Sequence, residues 1–249
     1  MRCGRKAIMW IALALCLICA VLLALALHSR AEHAKPASKD PEGAIAAQED
    51  RTVDVPVDFA AWQERNPDVY AWIEYPGTNV DYPIVQSAED DAYYLRRDID
   101  GKEAVAGSLY TEHTYNSKTF DDPVTVIYGH NMANRTMFGG LQSHIEAADM
   151  ASTEEYFYVY LPGRILTYRV VGGAPGDDAH ILYYNDFSDP TGFSNYFGNL
   201  YAQSGGHVNL PGLLRPSPDD RVVILATCMN GEKYLRYLII GVLTDDTAD

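Results

Sequence analysis

The chain has 249 residues, of which 47% are hydrophobic and 21% charged, and its 13 prolines and 19 glycines are spread along it. This composition can form a buried core, and it excludes collagen, wholesale disorder and a disulfide scaffold. Six of the 19 basic residues precede residue 40, so the remainder carries 13 basic and 33 acidic residues. Such a negatively charged domain repels phosphate backbones, and we expect no nucleic-acid partner.

An apolar run stands near the start of the chain. Ala7 to Leu27 has no charged residue over 21 positions. At about 1.5 Å per residue it would span about 31 Å, enough for a bilayer core of about 30 Å. The run exceeds the apolar region of an ordinary signal peptide, which favours an uncleaved anchor over a cleaved signal.

These features predict three parts of the chain. Residues 1–28 are a transmembrane signal anchor, residues 29–55 a flexible tether rich in alanine and charged residues, and residues 56–249 a single domain. We expect a single-pass protein of the cell membrane, held there by the N-terminal helix, with the domain outside the cytoplasm. A cleaved signal peptide would lead to the same compartment.

Eight short runs rich in β-branched and aromatic residues follow, separated by Gly, Pro, Asn and Asp. Strands at such short spacing are typical of a β-barrel or β-sandwich. The runs are VYAWIEY, VDYPIVQ, VAGSLY, VTVIYGH, YFYVYL, RILTYRVVG, RVVILATC and YLRYLIIGVL. Helices are predicted from an N-cap at Asp58 to Arg65, and around 88–97, 135–144 and 191–203.

Cys228 is the residue best suited to covalent chemistry. Cys3, Cys16 and Cys19 lie in or before the apolar run, so Cys228 has no intramolecular disulfide partner in the polar part of the chain. It ends an apolar strand, which puts its sulfur at the rim of a sheet. An inert buried thiol is the alternative, but nucleophilic catalysis needs a thiol that no disulfide consumes.

Two further residues stand at comparable positions. His130 ends the strand VTVIYGH at a strand-to-loop edge like that of Cys228 and could serve as its base. Arg236 lies in the apolar final strand, where its permanent charge needs a partner or a charge to stabilise. Taken singly, His130 could be an ordinary surface or core residue, and Arg236 a surface residue whose charge reaches water.

The segments VTVIYGHNM, RVVILATC and YLRYLIIGVL resemble the sortases, the membrane-anchored cysteine transpeptidases of Gram-positive bacteria. His130, Cys228 and Arg236 fall on that family's catalytic His, Cys and Arg. Three other segments, and the helical stretch near 191–203, resemble class B sortases in particular. These segments are FAAWQERNPDVYAWIEYPGTNVDYPIVQ, DDAYYLRRDIDGKEAVAGSLY and YGHNMANRTMFGGL.

The resemblance spans residues 57 to 243 and implies a fold. That fold is mainly β with helices: a sortase-like closed β-barrel of about eight strands, N-terminal helices and a helix before the last two strands. One motif departs from the family, because its T-L-x-T-C reads ILATC here. Ala226 therefore lacks a hydroxyl that some class B members place beside the substrate.

The resemblance also implies a reaction. Cys228 would cleave an N-P-x-T-type sorting signal of a surface protein through a thioacyl enzyme, and pass the acyl group to an amine of a peptidoglycan precursor or a pilin. His130 would transfer protons, and Arg236 and the Met229 backbone N–H would stabilise the oxyanion. No cofactor is implied and no metal is expected, since no metal-ligand spacing is present. The candidate substrate-binding residues are Leu95, Ala226, Thr227, Met229, Ile181 and Tyr184.

The spacing of eight residues between Cys228 and Arg236 makes a geometric prediction. If both side chains face one cleft, they must be near cross-strand partners. A two-residue turn at Asn230-Gly231, a strong hairpin signal, would instead turn Arg236 away from the cysteine. We therefore predict that Asn230-Gly231 is not a two-residue hairpin turn. Met229 hydrogen-bonded directly opposite Glu232 would contradict an active site here.

Two other classes of protein remain as alternatives. An L,D-transpeptidase also places His before Cys and forms a thioacyl enzyme, but its S-H-G-C-x-R motif is absent. Papain-like peptidases place Cys before His, which is the opposite chain order. A non-catalytic surface domain that kept the fold would differ by an unreactive Cys228.

Overall fold

The computed structural model describes residues 53–150, 152–203, 209, 215–232 and 234–248. The strands are β1 (Val69–Tyr75), β2 (Val80–Val85), β3 (Leu109–Tyr110), β4 (Val124–Tyr128), β5 (Tyr156–Leu161), β6 (Arg164–Asp177), β7 (Val222–Cys228) and β8 (Leu235–Asp246). The helices are α1 (Phe59–Arg65), α2 (Leu141–Ala147), α3 (Ile181–Tyr184) and α4 (Pro190–Gln203), with a 3₁₀ helix at Tyr93–Arg96.

These eight strands form a closed barrel in the order β1-β2-β3-β4-β7-β8-β6-β5. The pairs β2–β3 and β4–β7 are parallel. The other neighbouring pairs are antiparallel, and β1 with β5 closes the barrel. The predicted mainly β fold, a closed barrel of about eight strands, is confirmed. Each predicted apolar run overlaps one strand, and β6 and β8 extend beyond their runs to Asp177 and Asp246.

Strand β7 is buried on both faces, which explains why it reads as a continuous apolar run. Val223 and Leu225 point into the barrel interior. Val222 and Ile224 point outward and pack in a second cluster with the aromatic residues of α4. The predicted helix before the last two strands therefore covers the outer face of the barrel beside β7, and its aromatic stripe is core.

Two of the other predicted helices differ from the structure. The Asp58 carboxylate accepts a hydrogen bond from the Ala61 N–H at 3.0 Å, so the predicted cap of α1 is confirmed. The helix predicted around 88–97 is only the short 3₁₀ helix. The one predicted around 135–144 begins at Leu141, because Arg135 and two later residues have positive φ, which a right-handed helix excludes.

The described helices are short, and this corrects one prediction. The longest, α4, has 14 residues, or about 21 Å against a bilayer core of about 30 Å. Among the described residues no helix has both the length and the apolar character needed to cross a membrane. The predicted single-pass membrane location is therefore not supported by the described helices. The segment assigned to the anchor, residues 1–28, lies outside the described residues.

Candidate active site

Three neighbouring strands bring His130, Cys228 and Arg236 together. Cys228 is the last residue of β7, where it is a free and exposed cysteine. Arg236 lies directly opposite it on β8. On the other side, β4 runs parallel to β7 with Tyr128 level with Ala226. His130 follows Tyr128 by two residues, as Cys228 follows Ala226, and both line the same cavity.

The observed register confirms that Asn230-Gly231 is not a two-residue hairpin turn. Cys228 and Arg236 are direct cross-strand partners, and the Met229 N–H donates to the Leu235 carbonyl at 3.1 Å. The connection between β7 and β8 thus covers residues 229–234. Because side chains alternate along a strand, cross-strand partners face the same side of the sheet.

One hydrogen bond in this connection joins Met229 and Glu232, the contact that was expected to contradict an active site here. The Glu232 N–H donates to the Met229 carbonyl at 3.3 Å and closes a β-turn around Asn230 and Gly231. In that turn φ is positive at Gly231 but not at Asn230, whereas a type I′ hairpin turn requires both. The turn therefore lies inside a longer connection and does not set the pairing of the strands.

The Met229 amide does not have the position expected for an oxyanion donor. Its N–H is already bonded to the Leu235 carbonyl, and its side chain is buried in the barrel interior. Neither the N–H group nor the side chain of Met229 therefore lines the candidate site. Among the groups predicted to stabilise the oxyanion, the guanidinium of Arg236 is the one that the structure brings into the cleft.

His130 is oriented by a contact from a distant segment. Its Nε2 lies 2.7 Å from the carbonyl oxygen of Leu95, in the 3₁₀ helix. A carbonyl only accepts hydrogen bonds, so Nε2 carries the proton, and Nδ1 is the nitrogen left to accept one. This contact fixes both the tilt of the ring and the tautomer of neutral His130.

Arg236 keeps its charge without a carboxylate partner. Its Nη1 donates to the backbone carbonyl of Leu235 at 3.3 Å. Within the described part of the chain it makes no ion pair. Since a guanidinium does not deprotonate in proteins, a permanent positive charge stands beside Cys228 and can stabilise an anion that forms there.

These residues line a cavity of about 250 Å³, referred to below as the cleft. Its lining residues are Leu95, Tyr110, Glu112, Tyr128, Gly129, His130, Asp178, Ala179, His180, Ile181, Ala226, Thr227, Cys228 and Arg236. Of the predicted substrate-binding residues, Leu95, Ile181, Ala226 and Thr227 are thus at the cleft. Tyr184 is 70% exposed and lines a neighbouring cavity of about 540 Å³.

Five polar residues of the cleft were not predicted from the sequence: Tyr110, Glu112, Tyr128, Asp178 and His180. Burial raises the pKa of the Glu112 carboxyl, and the nearby His180 acts against that rise. Burial also raises the pKa of Tyr110 and Tyr128, and the Glu112 carboxylate adds to both effects. No local pattern marks these residues, because their side chains meet only when the barrel closes.

Metal ligands require a cluster of suitable side chains. Among the described residues no group of three or more His, Cys, Asp or Glu side chains is arranged to hold a metal ion.

The chain is similar to several known proteins. It is 30% identical over 174 residues to sortase B of Listeria monocytogenes, covering 69% of this chain and 67% of that protein. It is 27% identical over 88 residues to sortase B of Staphylococcus aureus, covering 35% of each. No family model matches the chain.

The fold also has solved counterparts. The structure of Clostridium perfringens sortase B superposes with a TM-score of 0.62 at 23% identity, covering 75% of this chain and 100% of that one. At this identity the superposition shows a shared fold.

Proposed function

The chain belongs to the class B sortases, a family of transpeptidases, and from this premise we propose that the cleft performs cysteine transpeptidation with Cys228 as the nucleophile. The observation that carries the proposal is the placement of three residues at one cavity: Cys228 ends β7, Arg236 is its cross-strand partner on β8, and His130 follows the neighbouring strand β4 by two residues. A nucleophile, a proton-transfer group and a permanent positive charge then surround one small cavity.

In the first half of the reaction, the Cys228 thiolate attacks a peptide carbonyl carbon. A C–S bond forms, and the carbonyl oxygen becomes an oxyanion that Arg236 stabilises. The C–N bond then breaks, and the protonated form of His130 gives its Nδ1 proton to the leaving amine and becomes neutral. The product is a thioacyl enzyme in which the carbonyl carbon is bonded to the sulfur of Cys228.

In the second half, an amine attacks the thioacyl carbon and loses a proton to neutral His130. The C–S bond breaks, the thiolate leaves, and a new amide bond forms. The Nδ1 atom of His130 is the group we assign to this proton, because Nε2 is held by the Leu95 carbonyl.

The substrate proposed for this cleft is an N-P-x-T-type sorting signal of a surface protein. The acceptor is an amine of a peptidoglycan precursor or of a pilin. The apolar side chains of Leu95, Ile181 and Ala226 line the cleft and support binding of a peptide with apolar groups near the scissile bond. Class B resemblance is the basis for the asparagine and proline of the signal.

The decisive experiment is intact-mass spectrometry of the full chain mixed with peptides that carry N-P-x-T or L-P-x-T signals. We expect an acyl adduct with the N-P-x-T peptide that is released by hydroxylamine and absent in Cys228→Ala. Since Cys228 is exposed, replacing it should leave the fold intact, which circular dichroism of the variant checks.

Other outcomes have distinct meanings. An adduct with the L-P-x-T peptide alone would overturn the proposed signal and keep the enzyme class. No adduct with either peptide and an unreactive thiol would favour a non-catalytic surface domain. An adduct that persists in Cys228→Ala would refute Cys228 as the nucleophile.

A further inference from the structure

Glu112 and His180 meet across the cleft although they are 68 positions apart in the chain. Glu112 follows β3, and His180 lies between β6 and α3. The His180 Nε2 atom lies 3.1 Å from both carboxylate oxygens of Glu112. Glu112 is only 9% exposed, so this carboxylate is held away from water by the protein.

His180 makes a second hydrogen bond that restricts its chemistry. It is the N-cap residue of α3, and its Nδ1 accepts from the Tyr183 N–H at 3.1 Å. Since Nδ1 accepts, the ring proton must lie on Nε2, where it donates to Glu112. The ring also packs against Tyr115, with centroids 4.8 Å apart. Neutral His180 in one tautomer thus joins the cap of α3 to the opposite side of the cleft.

Helix α3 depends on such contacts for its position. It has four residues, Ile181 to Tyr184, which is one turn and far below the length at which a helix is stable in isolation. Its first residue packs in the core beside α4, while Tyr183 and Tyr184 are 65% and 70% exposed. The segment that leads into it, residues 178–181, lines the cleft together with Leu95 and His130.

Burial of the Glu112 carboxylate is unfavourable in free energy. Removing a carboxylate from water is unfavourable, and apolar side chains of similar volume often replace buried charged groups and their partners without loss of stability. The Glu112–His180 pair is therefore poorly explained by stability alone. It is better explained by the position that it imposes on the segment 178–181.

We propose that Glu112 and His180 form a clamp that positions the wall of the cleft formed by residues 178–181 for the peptide substrate. The proposal rests on the proposed transpeptidase function. Glu112 is a positioning residue that acts through His180, and the clamp serves substrate binding more than the covalent steps at Cys228.

The test compares Glu112→Leu with Glu112→Gln in the full chain. Leucine removes the acceptor, whereas glutamine keeps an oxygen that can accept from His180. With the N-P-x-T peptide we expect KM to rise about tenfold in Glu112→Leu, the size of effect for a lost hydrogen bond to a charged group. We expect kcat within twofold of wild type, and a near wild-type KM in Glu112→Gln.

A matched control is available in the same barrel. Glu155 accepts from His144 Nε2 at 2.9 Å and is also partly buried, but neither residue lines the cleft. Glu155→Leu should lower stability and leave KM unchanged. A second variant, His180→Asn, keeps a capping side chain but is too short to reach Glu112, and it should reproduce the KM of Glu112→Leu.

Hydrogen exchange gives a readout that needs no peptide. We expect the Tyr183 and Tyr184 amides to exchange about tenfold faster in Glu112→Leu and in His180→Asn than in wild type. If wild type forms no acyl adduct, the proposed function is refuted. The rates of hydrogen exchange would then still test whether the clamp holds α3. Two results would overturn the clamp. One is a folded Glu112→Leu or His180→Asn variant with the wild-type KM and wild-type rates of amide exchange. The other is a loss of activity that affects only kcat.

Discussion

Arg236 is a permanent charge near the start of β8, where it is followed by seven residues without a charge, Tyr237 to Leu243. Its partner across the ladder is Cys228, and its guanidinium donates to a backbone carbonyl. The same side chain could have been a surface residue, and the sequence left that alternative open. The structure places Arg236 at the cleft, opposite Cys228.

Arg236→Lys is expected to lower kcat by about 10²-fold, although the charge is kept. Lysine offers a flexible point charge in place of a planar fork of donors, and loss of one oxyanion donor typically has an effect of this size. The measurement is the rate of Cys228 acylation at saturating peptide. A rate within threefold of wild type would refute the role of Arg236 in oxyanion stabilisation.

His130 was predicted at a strand-to-loop edge, and the structure adds what orients it. The Leu95 carbonyl that binds its Nε2 is 35 positions away. No periodicity within either segment indicates that contact. Leu95 was predicted as a substrate-binding side chain, and the structure shows a second feature of this residue, its backbone oxygen.

At the level of elements, the end of β4 depends on a glycine. Gly129 lies between Tyr128 and His130, and a Cβ atom there would collide with the side chains of Leu109 and Phe138. Both neighbours are fully buried. The chain can therefore bring His130 to the cleft only because residue 129 has no side chain.

Gly129→Ala should destabilise the protein by about 1–3 kcal/mol, because an extra methyl group in a packed core forces its neighbours to shift. It should also lower the rate of acylation by displacing His130. Chemical denaturation and the adduct assay measure the two effects. If the stability and the rate of acylation equal those of wild type, the core accommodates the extra methyl group at this position.

Gly198 in α4 is a matched control. A Cβ atom there meets nothing within 4 Å, and the residue lies inside a helix. Gly198→Ala is expected to raise stability by about 0.5–1 kcal/mol, since alanine is the better helix former. A destabilised Gly198→Ala would mean that substitutions of glycine are harmful here regardless of the space around them.

At the scale of the whole molecule, an ion network joins three strands at the barrel end away from the cleft. The Asp246 carboxylate at the end of β8 accepts from Arg164 at 2.8 and 2.5 Å and from Arg221 at 2.9 Å. These arginines stand at the start of β6 and just before β7. Hydrogen bonds from Arg164 hold the pKa of Asp246 well below its usual range.

Asp246→Asn should lower the free energy of unfolding at pH 7 by about 2 kcal/mol, because it removes the buried negative charge that both arginines bind, while their hydrogen bonds to Asp121 remain. The pKa of Asp246 is depressed in the folded state, so its contribution is present above the unfolded value of about 4 and is lost as pH falls further. Denaturation at several pH values should show the difference from wild type shrinking below about pH 4. A difference independent of pH would contradict this origin.

Local features of the sequence were sufficient for much of the fold. Each strand contains a run of β-branched and aromatic residues, and α1 and α4 follow from a capping aspartate and an aromatic stripe. Local features failed at residues 135–140, where positive φ values at Arg135, Met137 and Gly140 exclude a helix. They also missed α3, whose single turn is too short to produce a period.

From the sequence, Cys228, His130 and Arg236 could be named as candidates, because Cys228 and His130 end apolar runs, Arg236 lies within one, and the three segments together resemble the sortases. Four features follow from the fold alone: the register that joins Cys228 and Arg236, the Leu95 contact on His130, the engaged Met229 amide and the Glu112–His180 pair. Hydrophobic periodicity is a property of about ten consecutive residues. These contacts join separate segments, some of them 35 or 68 positions apart, and they exist only once the barrel closes.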